Sequence, residues 1–231
     1  MISENLENIR TRIVRACERA RRDPRSVTLV AVTKTFPAGV ISDAVRAGVC
    51  DIGENYVQEL LGKRAALGGE PIRWHFIGHL QTNKVKYIAD WITLVQAVDS
   101  VSLVKELDKR AEHAGRVIDC LIEVNTTGES SKYGLPRDAV AQFLRSVKDC
   151  THIRCAGLMT IGPFLPDPEG SRPMFRRLRQ LRDESLALGQ ANVTMEHLSM
   201  GMTGDFEVAI EEGATIIRIG TALFGPRTKK T

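Results

Sequence analysis

The sequence is poor in aromatic residues and paired cysteines, and it has no long apolar run. Aromatic residues make up 5% of its 231 positions, which leaves few stacking surfaces for single-stranded nucleic acid. The five cysteines are odd in number and never spaced as CxxC, which argues against a disulfide framework and a zinc site. No stretch approaches the ~20 apolar residues that cross a bilayer. We therefore expect no nucleic-acid partner, no membrane partner and no metal.

Neither sign of charge dominates, and the first residues do not form a secretory signal. The sequence contains 32 Lys and Arg and 28 Asp and Glu, a formal net charge of +4. This charge is too small to indicate an anionic partner. The segment MISENLENIRTRI carries acidic side chains where a signal peptide has a basic patch and an apolar stretch. This pattern predicts a cytoplasmic protein with reduced cysteines. No exposed apolar stripe stands out, so a monomer is expected.

Short apolar runs alternate with helical stretches along the chain. A first amphipathic helix is predicted because Leu6, Ile9, Ile13 and Cys17 recur at helical spacing. Eight strand-like runs follow, and most of the segments between them are long enough for a helix. The runs cover residues 27–34, 49–54, 72–78, 94–98, 117–125, 153–162, 194–201 and 215–220.

Apolar strands separated by helices predict a parallel sheet that is covered by helices. An open doubly wound sheet and a closed barrel both fit this alternation, but eight units in 231 residues favour a TIM-type (β/α)8 barrel. With 43% apolar residues the chain can bury one sizeable core, and no linker divides it. The expected fold is a single α/β barrel domain over residues 1–231 with an extra N-terminal helix. The loop 162–173 is interpreted as an insertion above one strand.

Lys34 stands at the carboxyl end of the first predicted strand. Alternation along that strand places Val30, Val32 and Lys34 on one face, and active sites of barrels collect at this end. An amine that is partly stripped of water there should have a lowered pKa and can attack a carbonyl to form a Schiff base. The alternative is a lysine whose stem covers the core while its ammonium reaches solvent.

Arg218 is the charged residue of the last predicted strand. It shares one face with Ile216 and Gly220, while Ile217 and Ile219 share the other. Because both faces of a barrel strand are largely apolar, a guanidinium there needs a partner. That partner is either a ligand at the barrel mouth or a carboxylate in a structural salt bridge. The candidate carboxylates are those of Glu54, Glu123 and Glu196.

Small and hydroxylated residues follow the last two predicted strands. Ser199 and Gly201 end one of them, and Gly220 and Thr221 end the other. Barrels often bind phosphate at these two loops through bare backbone N–H groups and hydroxyls. A lysine nucleophile beside a phosphate cradle predicts a phosphorylated carbonyl ligand. A sugar phosphate, as in Schiff-base aldolases, and pyridoxal 5′-phosphate (PLP) both satisfy this pattern.

Seven strings around these residues carry a wider resemblance. They are AVTKTF, DIGENYVQEL, WHFIGHLQTNK, LIEVNTTGESSKYGL, GLMTIGP, LSMGMTGDFEVAIEEGAT and RIGTALFGPR, in this order. Together they resemble the pyridoxal phosphate homeostasis protein family, which is similar to the amino-terminal barrel of alanine racemase. The resemblance implies a barrel that binds PLP and acts in intracellular PLP homeostasis, by buffering or delivery, without established catalysis.

The resemblance also implies a set of cofactor-binding residues, and it assigns no catalytic residue. The set contains Lys34 as the Schiff-base lysine, Asn55 near the ring edge, Arg218 against the pyridine nitrogen, Ser199, Gly220 and Thr221 at the phosphate, and His79, Met159 and Met200 in the pocket wall.

Two features weigh against catalysis. An arginine cannot accept the proton of the pyridine nitrogen, so the ring stays neutral and is a weaker electron sink. Racemases of this fold also take a second acid–base tyrosine from an added β-rich domain, and this chain ends at Thr231, soon after the last predicted strand. The expected partners are PLP and apo-forms of PLP-dependent enzymes. Alanine racemase works with such an arginine, so a racemase or decarboxylase of narrow specificity stays the alternative.

Two basic features lie outside this set. Lys132 falls in a loop after the fifth predicted strand. An exposed loop lysine is the simpler interpretation, and a second amine that receives the cofactor in transit is the alternative hypothesis. The most basic run, 172–184, has apolar residues at close to helical spacing, which predicts a helix with one packed face and a solvated arginine face.

Overall fold

An amphipathic helix opens the chain, as the spacing of its apolar residues predicts. The computed structural model describes residues 1–126, 133–163 and 165–226. Helix α1 spans Ile2–Arg19, and Leu6, Ile9, Ile13 and Cys17 are all buried. Residues at this spacing share one face of a helix, which can then pack on a core. α1 packs against the helices that precede and follow the last strand.

Eight parallel strands close into a barrel. They are β1 (Thr28–Val32), β2 (Asp51–Glu54), β3 (Arg73–Phe76), β4 (Leu94–Val98), β5 (Ile118–Asn125), β7 (Ile153–Met159), β8 (Val193–Ser199) and β9 (Ile216–Ile219), while the two-residue β6 (Leu135–Pro136) pairs with β5. The hydrogen-bonded order is β4-β3-β2-β1-β9-β8-β7-β5, and a direct pairing of β4 with β5 closes the ring. The eight predicted strands and the predicted barrel are confirmed.

Helices cover the connections between the strands. The α-helices after α1 are α2 (Ala38–Arg46), α3 (Val57–Ala66), α4 (Val101–His113), α5 (Val140–Ser146), α6 (Arg172–Leu186), α7 (Phe206–Glu211) and α8 (Thr221–Phe224). The connection from β3 to β4 contains the 3₁₀ helix Thr82–Tyr87 in place of an α-helix. Another 3₁₀ turn, Pro168–Ser171, lies in the loop between β7 and α6, where an insertion is predicted.

Side chains of the barrel strands alternate between a helix-side core and an interior core. In β9, Ile217 and Ile219 belong to the helix-side core, and Ile216 belongs to the interior core. Arg218, which lies between Ile217 and Ile219 in the sequence, is also buried, and alternation along the strand places its side chain on the interior face. This is the alternation that the sequence predicts for β9. The interior core also contains Val30, Leu94, Ala97, Leu121, Ala156 and Met159.

The basic run lies on α6, and its arginines are paired more than the sequence predicts. The packed face is confirmed, because Met174, Phe175, Leu178 and Leu181 are buried. Arg172 and Arg176 contact Glu212 at 3.2 and 2.9 Å. Arg172 also contacts Glu211 at 2.6 Å. Part of the arginine face is therefore held against α7 and is not simply solvated.

The five cysteines are free thiols, as expected. Cys50 is half-buried, and the other four are buried. Burial raises the pKa of the Cys17 and Cys150 thiols, so both stay protonated at neutral pH. Within residues 1–126, 133–163 and 165–226, no helix is both long and apolar enough to cross a bilayer.

Candidate functional site

The predicted site residues lie at or just beyond the carboxyl ends of barrel strands. The strands involved are β1, β2, β3, β7, β8 and β9, and because they run parallel their carboxyl ends form one rim. β1 and β9 are direct neighbours in the sheet, which brings the segment after β1 next to the end of β9. This rim is the end of a barrel where active sites collect. The residues are Lys34, Asn55, His79, Met159, Ser199, Met200, Arg218, Gly220 and Thr221.

Lys34 is half-buried in a tight turn after β1. The next residue, Thr35, has a φ of +71°, a left-handed conformation that costs a residue with a Cβ about 1–2 kcal/mol. The N–H of Thr35 donates to Glu59 Oε1 at 2.6 Å. On the other side of Lys34, Lys63 Nζ donates to the Thr33 carbonyl at 2.7 Å. Side chains of α3 therefore hold the backbone on both sides of Lys34.

A buried ionic cluster, which we call the turn cluster, supports this turn and consists of Thr33, Glu54, Glu59 and Lys63. Lys63 Nζ lies 2.6 Å from both Glu54 Oε1 and Glu59 Oε1. The Thr33 hydroxyl also donates to Glu54 Oε1. The Glu54 side chain is fully buried, and that of Lys63 is 7% exposed. Burial raises the pKa of Glu54, and the hydrogen bonds from Lys63 and Thr33 oppose that rise.

Sequence reasoning missed the turn cluster, although one signal for it was present. Val57, Leu60 and Lys63 share the buried face of α3 at helical spacing. A lysine is almost never fully buried without a partner, so its position on an apolar face points to a buried carboxylate. Glu54 supplies it, which also removes Glu54 from the carboxylates considered as partners for Arg218.

Arg218 is buried near the end of β9 and binds two neutral groups. Its Nη1 donates to Ser199 Oγ at 2.6 Å, and its Nη2 donates to the Thr160 carbonyl at 2.8 Å. Burial lowers the pKa of Arg218 to about 10, with attraction to Glu123 opposing the decrease, so the guanidinium stays charged at neutral pH. In the described ranges no carboxylate forms an ion pair with it, and the three considered from the sequence are not its partners. The Arg218 guanidinium is therefore a buried cation at the rim that forms no ion pair with a described carboxylate.

The corner between β8 and β9 contains the residues predicted to hold a phosphate. Gly220 is half-buried, and Thr221 is exposed at the first position of α8. Ser199 is fully buried, and its hydroxyl is already engaged on both sides. It accepts from Arg218 and donates to Gln96 Oε1 at 2.6 Å. A phosphate would receive the Ser199 proton only by replacing the bond to Gln96.

Gly201 shapes the same corner. Its φ is +91°, and a Cβ on it would lie 2.5 Å from Ala209 Cβ, so both the backbone conformation and the packing require glycine. The Gly201 carbonyl accepts the N–H of Arg218 at 3.1 Å. The loop after β8 is thereby tied to the strand that carries the guanidinium.

The two methionines predicted in the pocket wall lie on opposite sides of the barrel wall. Met159 belongs to the interior core and Met200 to the helix-side core. Successive side chains of an extended segment point to opposite faces. Because Ser199 points into the barrel, Met200 points away from it. The interior position of Met159 is compatible with a pocket wall, and the position of Met200 does not fit the prediction.

Asn55 has a buried side-chain oxygen that lacks a hydrogen-bond donor among the described residues. Gly78 packs closely against its backbone, since a Cβ on Gly78 would lie 2.4 Å from the Asn55 carbonyl oxygen. An unsatisfied buried polar atom costs about 1–3 kcal/mol. A ligand that donates to this oxygen would remove the cost.

His79 is exposed at the rim and contacts a neighbouring loop. Its ring stacks on Tyr133 with centroids 4.7 Å apart, and its Nδ1 lies 3.4 Å from Asp99 Oδ2. These contacts suit a wall residue better than an acid or base. Lys132, the predicted second amine, lies outside the described residues.

A cavity of about 540 Å³ opens beside Asn55 and His79. It is lined by Asn55, Gly78, His79, Glu123, Tyr133 and Ile161, among others. Glu123, on β5, is 6% exposed. Burial raises the pKa of Glu123 to about 7, repulsion from Asp99 adds to the rise, and attraction to Arg218 opposes it. Sequence reasoning considered Glu123 only as a salt-bridge partner and missed that it titrates near neutral pH.

The free energy of unfolding should depend on pH through Glu123. Between pH 4.5 and 7 the folded protein keeps a proton on Glu123 that the unfolded chain releases, so stability falls as pH rises through this range and levels off above it. A pKa difference of one unit corresponds to about 1.4 kcal/mol, which gives a total of about 3 kcal/mol. Urea denaturation at pH 5 and pH 8 should show Glu123→Gln gaining stability over the wild type at pH 8.

The matched control is Glu18→Gln, at an exposed position of α1. Its stability difference from the wild type should stay nearly constant between the two pH values. An equally constant difference for Glu123→Gln would contradict the raised pKa of this carboxyl.

The fold and the rim define a class of protein: parallel eight-stranded barrels of the alanine racemase type, with a lysine after the first strand and an arginine on the last. The family model described as the alanine racemase N-terminal domain matches residues 5–228. An alanine racemase structure from Clostridium difficile superposes with a TM-score of 0.70 at 13% identity, covering 97% of this chain and 58% of the racemase. That likeness concerns the fold alone.

Closer relatives narrow the class. A pyridoxal phosphate homeostasis protein of Aquifex aeolicus is 47% identical over 224 residues, 97% of each chain. One of Pseudomonas aeruginosa is 41% identical over 226 residues, 98% of this chain and 96% of that protein. The structure of PipY from Synechococcus elongatus with PLP bound has a TM-score of 0.85 at 31% identity, covering 97% and 100%. The chain belongs to the pyridoxal phosphate homeostasis protein family.

Proposed function

We propose that this protein binds PLP as a Schiff base with Lys34 and acts in intracellular PLP homeostasis, by buffering or delivering the cofactor. One observation carries the proposal: the half-buried Lys34 follows β1, and the buried Arg218 guanidinium, which forms no ion pair with a described carboxylate, lies at the end of the neighbouring β9 on the same rim. Membership in the family, and the PLP bound to PipY, support PLP as the ligand.

The rim residues fit this cofactor on two counts. The Arg218 guanidinium is buried beside neutral groups, and a buried cation is stabilised by an anionic or electron-rich ligand. The Asn55 side-chain oxygen is buried without a described donor, so its hydrogen bonding is incomplete until a ligand binds. When bound, PLP supplies an aldehyde that condenses with amines and a ring that withdraws electrons.

Four of the rim residues then have a defined task. Lys34 supplies the amine, and the turn cluster limits the conformations of its backbone before the ligand arrives. Gly220 presents bare backbone at the corner, and Thr221 presents an exposed hydroxyl that can donate to a phosphate oxygen. Arg218 would act as a hydrogen-bond donor to the pyridine nitrogen. Because a guanidinium has no acceptor atom, it leaves that nitrogen unprotonated.

A PLP-dependent racemase or decarboxylase is the second candidate function, and Glu123 is the observation that favours it. A buried carboxyl with a pKa of about 7 beside the rim cavity can give or take a proton near neutral pH. Arg218 weighs against it, because an unprotonated ring nitrogen weakens the electron sink on which such chemistry depends. We therefore rank delivery or buffering above turnover.

The proposal extends to partners and location. The recipients are apo-forms of PLP-dependent enzymes, which need the cofactor that this protein holds. The protein acts as a monomer in the cytoplasm, without a nucleic-acid or membrane partner. The low net charge supports the absence of an anionic partner, and the five free thiols are typical of a reducing compartment.

The experiment is to mix the purified protein with PLP, record the visible spectrum, reduce with borohydride and map the modified peptide. A visible band and an adduct on Lys34 are expected. The loaded protein is then incubated with a panel of apo-enzymes, and separately with amino acids in D₂O. Transfer without α-proton exchange supports delivery, and rapid exchange would favour the second candidate. An adduct that maps away from Lys34 would contradict the proposal.

A further inference from the structure

A continuous chain of hydrogen bonds crosses the barrel interior. Arg218 Nη1 donates to Ser199 Oγ at 2.6 Å, and Ser199 Oγ donates to Gln96 Oε1 at 2.6 Å. Gln96 Nε2 lies 3.0 Å from His75 Nδ1. His75 Nε2 lies 3.0 Å from Asp51 Oδ1. All five residues are buried.

This chain of hydrogen bonds joins the two ends of the barrel. Asp51 is the first residue of β2, and it pairs with the first residue of β3, Arg73, through two hydrogen bonds of 2.8 and 2.6 Å. Arg218 and Ser199 lie at the carboxyl ends of their strands, at the rim. An ion pair at the amino end of the barrel is therefore connected to the guanidinium at the mouth.

When His75 is neutral, the groups at the two ends of this chain of hydrogen bonds determine which atom donates and which accepts in every bond. Arg218 has only donors, so Ser199 accepts from it and gives its own proton to the Gln96 oxygen. The Gln96 amide nitrogen must then donate to His75 Nδ1. His75 consequently carries its proton on Nε2 and donates it to Asp51.

Asp51 is suited to end the chain as a pure acceptor. Burial alone would raise its pKa, but hydrogen bonds from His75 and Arg73 lower it below the ordinary value. The carboxylate is therefore ionised at neutral pH. An ionised carboxylate accepts only, so it selects the Nε2–H tautomer of His75.

We propose that Asp51, His75 and Gln96 are positioning residues that orient the Arg218 guanidinium at the mouth through Ser199. The inference rests on the proposed function, because orientation of Arg218 matters through a ligand at the rim. Apolar residues would fill the barrel interior without the desolvation cost of five polar side chains. The hydrogen-bonding role of each residue in the chain restricts the next residue to one arrangement of donor and acceptor. The Ser199 hydroxyl is therefore held with a lone pair of its oxygen directed at Arg218. The side chains of α3 that hold Lys34 take no part in this chain.

Asp51→Asn and Gln96→Met should disturb the chain with little change in side-chain volume. In the PLP-loaded variants we expect a shifted visible absorption maximum, because the band reports the surroundings of the ring. We also expect PLP to be released to an excess of an apo-aminotransferase about tenfold faster than from the wild type, which is the effect of losing one charge-assisted hydrogen bond.

Asp119→Asn is the matched control. Asp119 also pairs with an arginine on the neighbouring strand, Arg154, through two hydrogen bonds of 2.7 and 2.6 Å. No described histidine donates to its carboxylate. This variant should release PLP within about twofold of the wild-type rate and keep the absorption maximum. Chain variants that behave like Asp119→Asn would overturn the inference.

The tautomer of His75 can be measured without any ligand. In ¹⁵N-labelled wild-type protein the ring signals of His75, assigned by their loss in His75→Gln, should show a protonated Nε2 and an unprotonated Nδ1. A protonated Nδ1 would overturn the proposed direction even if the variants above do not fold. If the wild type shows no PLP adduct on Lys34, the proposed function fails, while the tautomer still tests the chain itself.

Discussion

Replacing Lys34 with alanine is expected to abolish the visible absorption band of the PLP-loaded protein and the borohydride adduct. The contacts to Arg218 and Thr221 would remain, but they are non-covalent, so PLP should be lost on dialysis. The fold should persist, because Lys63 and Glu59 hold the Thr33 carbonyl and the Thr35 N–H, which alanine leaves in place. We expect a change of less than about 1 kcal/mol in the free energy of unfolding.

Spectra after dialysis, together with urea denaturation of the apo-protein, check this prediction. The control is Lys86→Ala, which removes an exposed amine from the 3₁₀ helix beside the rim and should leave the band unchanged. A band of wild-type intensity in a folded Lys34→Ala protein would mean that another amine carries the cofactor.

The positions of the strands and the faces of their side chains could be read from the sequence. In β9 the alternation of Ile217 and Ile219 with Arg218 holds because a closed barrel has two distinct cores, and each accepts every second residue. The same rule separates Val30, in the interior core, from Ala31, in the helix-side core, on β1. Periodicity is a local property, so one sequence is sufficient to find it.

The partners of buried polar groups could not be read in the same way. Arg218 was expected to find either a ligand or a carboxylate, and it binds the Ser199 hydroxyl and the Thr160 carbonyl. Which residues meet inside a barrel depends on the stagger between strands. That stagger comes from the whole closed sheet and includes irregular register shifts, such as the one between β7 and β8 after Cys155.

The faces of residues at or just beyond the end of a strand were predicted less well than those in its middle. Met200 was placed in the pocket wall by resemblance, but it follows an inward-facing Ser199 and packs on the helix side. Glu54, the last residue of β2, was considered as a salt-bridge partner for Arg218, but it lies opposite α3, where Lys63 approaches. In both cases strict alternation, applied one residue further, would have indicated the observed face.

Replacing Lys63 with methionine is expected to cost about 3–5 kcal/mol of unfolding free energy, because it leaves a fully buried Glu54 without its cation. The Thr33 carbonyl loses its donor as well, so the turn that carries Lys34 should loosen and PLP should be retained less well. Urea denaturation of the apo-protein at pH 7 measures the first effect, and the intensity of the visible band after dialysis measures the second.

Adding Glu54→Gln to Lys63→Met separates the charge from the packing. The double variant removes the unpaired carboxylate, so it should recover most of the lost stability. In the single variant the loss should shrink as pH falls from 8 to 5, because protonation of Glu54 neutralises the buried charge. Arg46→Met, which breaks an exposed pair with Asp43 on α2, should cost less than about 1 kcal/mol. If Lys63→Met costs no more than this control, the turn cluster does not stabilise the fold, and the backbone around Lys34 must be held by other contacts.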